Sequence, residues 1–299
     1  HRLDDPLARR RIGLLERENA TLLNAALYSV ARSVTEALVT VVAEEGLDAT
    51  TFFAQNDGTL MSLDYAAQYP VLTIGSGPAN SIRGAAYLSG HDDAIVIDVG
   101  GTTSDLGVVV GGFPRESTLP REIGGVRTNF RMPDILSVGI GGGTIVDVAS
   151  GRVGPDSVGY RIDREGLLFG GSTPTLTDAA ALAGSPVAGR TLPALSSQVT
   201  DALEQALAKV ADRLDEAVER LSPGRMDIPL VVVGGGGFLV PDSLASAGSI
   251  LRPDHGGVAN AVGAAISLAG GRADQMAPMG DREQAIEQAS EAAIAKASQ

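Results

Sequence analysis

Two stretches of this chain follow one plan, and that repetition limits the fold more than any single motif does. Residues 51–90, opening TFFAQNDG, and residues 230–270, opening LVVVGGGG, both read as strand, polar or glycine loop, short helix, strand, Gly-rich loop and helix. Each closing helix carries Ala-Asn followed by Gly-Ala-Ala, at Ala79-Asn80 with Gly84-Ala85-Ala86 and at Ala259-Asn260 with Gly263-Ala264-Ala265. A long amphipathic helix precedes each copy, over 16–45 and 198–221. The chain therefore reads as two copies of one α/β unit.

Within the first copy the pattern predicts strands at 50–54 and 70–74, a short helix capped by Ser62, and a helix from Pro78 to near Gly90. The helix over 16–45 is expected to lie on a sheet through Leu22, Leu23, Ala26, Leu27, Val30, Val34, Leu38 and Val41. The second copy is introduced by a three-strand meander, at 94–98, 105–110 and about 122–127, which the first copy lacks. If the duplication is real, the first copy's own hairpin lay before His1. The second copy continues with a buried strand into the glycines of 230–237, a short helix in PDSLASA, a strand at 249–253 and a closing helix over 256–271. The Gly-rich stretch of about 134–190 reads as an insertion, and the acidic, Ala-rich end as a further helix. Domain limits of 1–92, 93–271 and 272–299 result.

Composition narrows the partners. A net charge of −13 argues against nucleic acid or an anionic membrane, both of which reward clustered Lys and Arg. With no cysteine, disulfides and thiolate metal sites are excluded, which fits a cytoplasmic protein. No uninterrupted apolar run reaches the ~18 residues of a membrane span. An anionic ligand must then be held by backbone N–H groups, hydroxyls or a metal ion.

IVIDVGGTTSDLGVVVGG (95–112) offers such a grip. Gly100 and Gly101 let a turn approach oxygens closely, Thr102 and Thr103 add hydroxyls, and Asp98 at the strand end suits Mg²⁺. Asp105 supplies a second carboxylate. The same residues also suit an ordinary Gly-rich hairpin with Asp as turn former. Gly234, Gly235, Gly236 and Gly237, between a buried strand and a short helix, leave room for a flat ring or ribose, or simply make a tight turn. Gly141, Gly142, Gly143 and Thr144 either line the substrate or phosphate side or form another turn. Asp178 reads as a helix cap rather than a general base, and His1, His91 and His255 as loop residues, with His255 nearest in sequence to a candidate nucleotide segment.

Taken in order, these motifs resemble the superfamily of acetate kinase, sugar kinases, Hsp70 and actin. Within it, QNDG, SGPANSIRGA, DVGGTTSD, IGGVR, GIGGGTIV and TPTLTDAAALAG are similar to the hydantoinase/oxoprolinase family, in its hydantoinase A type, over roughly residues 14–270. The resemblance implies duplicated ribonuclease H-like lobes, the first incomplete, with ATP and Mg²⁺ between them. Asp98 to Thr103 match the second phosphate loop, Gly234 to Gly237 the adenosine loop, and Asn260 stands in one of two small-residue helices that meet at the hinge. The implied activity is ATP-dependent opening of a cyclic amide such as hydantoin, N-methylhydantoin or 5-oxoproline, through a phosphorylated amide oxygen. Asp98 and Asp105 are then the catalytic candidates and Asp98 the metal ligand. An oligomer and a hydantoinase B-type partner are implied, and a piece of this extent is expected to turn over ATP weakly or not at all. Where many members carry a histidine, this chain has Asp134-Ile135-Leu136, so no role passes to that position. A small-metabolite kinase and an Hsp70- or actin-like nucleotide-gated module are the other functions the superfamily admits.

Overall fold

The computed structural model describes residues 14–117, 122–128, 132–187, 189–222, 224, 227–271, 273 and 280–297. His1 lies outside them. In chain order the elements are α1 (Leu14–Glu44), β1 (Phe52–Ala54), β2 (Leu60–Ser62), α2 (Leu63–Gln68), a 3₁₀ turn (Pro70–Thr73), α3 (Ser76–Ser89), β3 (Ala94–Val99), β4 (Ser104–Val110) and β5 (Phe113–Pro114). Next come β6 (Glu122–Ile123), β7 (Val126–Arg127), β8 (Ile135–Val138), β9 (Thr144–Asp147), β10 (Arg152–Ser157), α4 (Ile162–Glu165), α5 (Leu176–Leu182) and α6 (Ser197–Leu221). The chain closes with β11 (Leu230–Val233), β12 (Ile250–Leu251), α7 (Ala259–Ala265) and α8 (Arg282–Ala297). Two compact units emerge, one of 1–79, 116–133 and 266–299, the other of 80–115 and 134–265.

The first unit is built around α1. Its side chain Asn24 receives the Val71 N–H at 3.2 Å and donates to the Gln68 carbonyl at 3.0 Å, so that Ala20 and Val71 are fully buried together with Leu23 and Leu27 against them. This narrows the expected packing: α1 lies mainly on α2 and the 3₁₀ turn and meets a sheet only at the small β6–β7 pair, where Asn19 donates to the Arg127 carbonyl, while Leu22, Val30, Val34 and Val41 are exposed. Residues 70–74 are correspondingly no strand. Pro70 starts a 3₁₀ turn, and the Leu72 carbonyl accepts from Asn56 N–H where a ladder would otherwise run. Ser62 caps α2 as expected, accepting from Tyr65 N–H. This unit holds two two-stranded sheets, the β1–β2 and β6–β7 pairs. By length and composition α1 could cross a bilayer.

The second unit is a sheet in the order β12-β11-β3-β4-β5, with β8 also on β4. β3 pairs parallel with β11 and antiparallel with β4. Both faces are covered, which is why β3 and β11 read as continuous apolar runs. On one face Ile95, Ile97, Val99, Leu106, Leu230 and Val232 meet the stripe of α6, whose Leu203, Val210, Leu214 and Val218 are fully buried. On the other, Ala94, Val96, Val109, Val231 and Val233 meet Ile82, Ala85 and Ala86 of α3 and Ala259 of α7.

Three further expectations change here. The strand foreseen at 122–127 is a separate hairpin, because Gly124 and Gly125 both take positive φ (58° and 79°) and fold β6 directly onto β7; β8 takes its place on β4. Residues 134–190 are no mere insertion, since they supply β8 as well as Ile140, Val146 and Leu176 to the core. PDSLASA forms no helix. Arg252 donates to the carbonyls of Val240 and Pro241, and Ser246 N–H is bound by Asp215, so the segment's polar groups look outward from a helical ladder. The closing helix is also shorter, a 3₁₀ turn at Gly256–Val258 leading into α7, which stops at Ala265.

Candidate functional site

Alternation along β3 places Val96 and Asp98 on the face covered by α3, and across the ladder Asp98 stands directly opposite Asp105. Two carboxylates thus share one sheet face at the strand ends. The turn between them is closed by Gly100 N–H donating to the Thr103 carbonyl at 2.9 Å. At its tip Gly101, Thr102 and Thr103 are exposed, and the two threonine hydroxyls have no hydrogen-bond partner among the described residues. A Cβ added to Gly101 would meet nothing within 4 Å. The turn is therefore open on its outer side and presents hydroxyls and backbone there.

The structure brings the other two glycine segments named above to this turn. Gly236 N–H donates to the Val99 carbonyl at 2.8 Å, and Gly234, at φ 87°, backs so closely onto Asp98 and Val99 that no side chain fits. Gly142 and Gly143 donate to the carbonyls of Gly100 and Gly101 at 3.0 and 2.7 Å. A Cβ on Gly141 would sit 2.6 Å from the Thr102 nitrogen. Gly141, Gly142, Gly143 and Thr144 are buried behind the turn, and the N–H groups of the three glycines are engaged, Gly141's by the Thr144 hydroxyl at 2.8 Å. Thr177 adds its own N–H and hydroxyl to the Gly142 carbonyl, at 2.9 and 2.8 Å. The segment acts as a brace, while Gly235 stays exposed in open space.

Electrostatically the carboxylate pair is unequal. Burial raises Asp98 above the usual carboxylate range, a hydrogen bond from the Ser81 hydroxyl opposes that, and the charge of Asp105 adds to it. Asp105 receives the hydroxyl of Ser137 from the neighbouring strand β8. Two carboxylates at the mouth of a hydroxyl-lined turn suit a hard cation that keeps several waters and shares phosphate oxygens, which is how Mg²⁺ is commonly bound. No group of three metal-ligating side chains exists among the described residues, so any such ion would rely on its ligand's oxygens too. Asn260 donates its amide to Ser81 Oγ at 3.3 Å.

Asp178 is the third helical residue of α5 and the partner of its cap, Thr175. Fully buried, it completes a capping box with Thr175 and also accepts from the Leu167 and Leu168 N–H groups, at 3.3 and 2.7 Å. His91 is an exposed loop residue bonded to the Ser89 carbonyl. His255 holds a positive φ of 64°, the one non-glycine to do so among the described residues, and the next carbonyl, Gly256, accepts from Gly234 N–H at 3.0 Å. Asp134 is paired with Arg115 at 2.8 Å, and Leu136 packs on the core. Sequence reading missed Ser81 and Ser137; Ser81 had a signal, since the equivalent place after Ala-Asn in the second copy is Ala261.

The model of the family described as Hydantoinase/oxoprolinase matches residues 17–229. The chain belongs to the hydantoinase/oxoprolinase family. Among curated relatives of this hydantoinase/oxoprolinase chain, an uncharacterised protein of Methanocaldococcus jannaschii is 28% identical over 87% of this chain and 44% of its own length. The alpha chain of the caprolactamase of Pseudomonas jessenii is 30% identical over 70% of this chain and 31% of its own. The chain thus spans less than half the length of these relatives. Of solved structures, the ATP-dependent caprolactamase of Pseudomonas jessenii superposes with a TM-score of 0.73 at 24% identity, over 94% of this chain and 47% of that one. Nucleotide-free acetone carboxylase gives 0.70 at 21%, over 93% and 45%. The fold is the α/β architecture shared with these structures.

Proposed function

We propose that this chain is the nucleotide-handling part of an ATP- and Mg²⁺-dependent enzyme that opens a cyclic amide, passing the γ-phosphoryl group to the amide oxygen so that water can attack the carbonyl carbon. The observation that carries the reading is the pair Asp98 and Asp105, set face to face at the mouth of the Gly100–Thr103 turn. Family membership and a relative named for a lactam support it. In this reading Asp98 holds Mg²⁺ with Asp105 beside it, and the bound ion neutralises phosphate charge. Gly101, Thr102 and Thr103 embrace phosphate oxygens, with the Gly141–Thr144 brace keeping the turn rigid. Gly234 to Gly237 bring backbone close to the nucleoside. Such chemistry asks for positioning and electrostatics more than for a protein nucleophile, which agrees with a chain that has no cysteine.

Relatives named as alpha, beta and gamma subunits support a partner of the hydantoinase B type. Two of them are carboxylases, which favours a second reading in which the same phosphoryl transfer to a carbonyl oxygen precedes carboxylation. The test is ADP release by the intact protein in the presence of hydantoin, N-methylhydantoin, 5-oxoproline or caprolactam. Amide-dependent ADP release with a ring-opened product supports the proposal. Accumulation of a phosphorylated metabolite would make it a kinase, a bicarbonate requirement a carboxylase, and turnover that responds only to a protein partner a nucleotide-gated module.

A further inference from the structure

Past the end of β10 the chain runs along the Gly100–Thr103 turn and is tied to it. Ser157 donates its hydroxyl to the Gly101 carbonyl at 3.5 Å and receives the Gly159 N–H at 3.1 Å. Val158, 2% exposed, donates its N–H to the Gly143 carbonyl at 2.9 Å, so it hangs on the same brace that holds the turn. Gly159 takes a positive φ of 55°, and a Cβ there would lie 3.8 Å from the Thr102 hydroxyl. A 3₁₀ turn over Gly159–Arg161 follows, in which Arg161 N–H donates to the Val158 carbonyl at 3.1 Å and the Arg161 side chain pairs with Glu165 at 2.9 Å. The chain neighbours of Tyr160 are thus engaged. Tyr160 itself is 91% exposed, the most exposed aromatic among the described residues.

On the amide-opening reading given above, we propose that Tyr160 is a substrate-contacting residue whose ring stacks on the planar amide that accepts the phosphoryl group. A single exposed tyrosine is ordinary on a protein surface. This one stands on a backbone anchored to the turn, and an aromatic ring on a fixed backbone offers contact area at low entropic cost. Its place along the turn selects the part of the ligand it meets. Gly234 and Gly236, on the nucleoside side in this reading, reach Asp98, Val99 and Gly100. Ser157 and Gly159 reach Gly101 and Thr102, at the tip. A nucleotide laid from those glycines across the turn ends with its terminal phosphate at the tip, and the acceptor must sit beside that phosphate. The polar edge of a cyclic amide is occupied by the chemistry, which leaves its flat face for an aromatic partner.

The experiment is steady-state ADP release by the intact protein with hydantoin, N-methylhydantoin, 5-oxoproline or caprolactam, whichever turns over fastest, together with calorimetric titration of Mg·ATP alone. Tyr160→Ala should raise the KM for the amide about five- to ten-fold, the worth of one aromatic stack, with Mg·ATP affinity within about two-fold of the parent. Tyr160→Phe keeps the ring and should stay within about two-fold in both. An exposed side chain contributes little to folding, so both variants should melt with the parent. An unchanged amide KM in Tyr160→Ala, a matching loss of Mg·ATP affinity, or a Phe variant as impaired as the Ala variant overturns the proposal while leaving the amide-opening reading in place. If the unsubstituted protein releases no ADP with any of the four amides, that reading itself falls and takes this proposal with it.

Discussion

Gly84 and Gly263 meet back to back where α3 crosses α7, each occupying the only space that the other helix's backbone leaves. A Cβ on Gly84 would overlap the Ala259 carbonyl and one on Gly263 the Asn80 carbonyl, and each of these carbonyls stands four residues before the opposite glycine. The crossing is therefore symmetric about the glycines. Aligning the two sequence copies on their Ala-Asn pairs leaves Gly84 and Gly263 out of step by one residue, so tertiary packing pairs Asn80 with Ala259 rather than with Asn260. Gly84→Ala or Gly263→Ala should cost about 3 kcal/mol or more, because the obstacle is backbone and cannot rotate away. Urea denaturation of the two variants checks this, and a loss under about 1 kcal/mol would contradict the crossing.

Gly101 makes the opposite case. It is exposed, has no positive φ and has open space where a Cβ would go, so Gly101→Ala should leave stability within about 0.5 kcal/mol of the parent. If the turn approaches phosphate, the added methyl should nevertheless reduce ATP affinity. Thermal melting together with nucleotide titration separates the two effects.

Asp98 carries a testable sign. Burial raises its folded-state pKa above its ordinary value of 3.8, so between those two pKa values the folded protein binds more protons than the unfolded chain. Stability therefore falls as pH rises from about the unfolded pKa through the raised folded one, then levels off. Asp98→Asn removes the buried charge. Without added Mg²⁺ the variant should be more stable than the parent at pH 7 and lose that advantage on acidification, while ATP turnover is abolished. Chemical denaturation at several pH values gives the comparison; a variant less stable at neutral than at acid pH, relative to the parent, would refute it.

Asp178 should behave as structure alone. It accepts from the N–H groups of Leu167, Leu168 and Thr175 and from the Thr175 hydroxyl, all within a buried loop. Asp178→Ala leaves these donors unanswered and should cost about 3 kcal/mol. Asp178→Asn should lose less, keeping one acceptor oxygen. Retention of the parent's pH dependence of turnover in the folded fraction would set it apart from a general base.

The core of α6 gives a scale for these losses. Leu214 is fully buried on the stripe that covers the sheet, and Leu214→Ala should cost about 2–5 kcal/mol, the usual range for a cavity of that size. Equilibrium unfolding in denaturant measures it.

Much of this architecture was legible because local patterns have one physical solution. A β-branched run such as AIVIDV favours a strand covered on both faces, and the 3–4 spacing of apolar residues from Leu203 to Val218 places one stripe inward. The DVGGTTSD turn, the glycines of 234–237 and the two small-residue helices were named as site elements through the family resemblance, since their local patterns equally suit ordinary turns and close helix packing. Residues 70–74 and 122–127 misled because short apolar runs bounded by Pro or Gly fit several conformations, and only a free sheet edge, or its absence, selects among them. The apolar stripe of α1 was wider than the surface that came to cover it.

Sequence patterns alone were enough to establish the main strands and helices of the second unit and the identity of the residues at the strand ends. It took tertiary packing to decide what those residues face: Gly141 to Thr144 brace the turn from behind, Asp98 stands opposite Asp105, and Asn260 reaches Ser81. Patterns along a chain report periodicity, whereas a hydrogen bond across 179 residues depends on how closely two helices can approach. That approach was set by the missing side chains of Gly84 and Gly263.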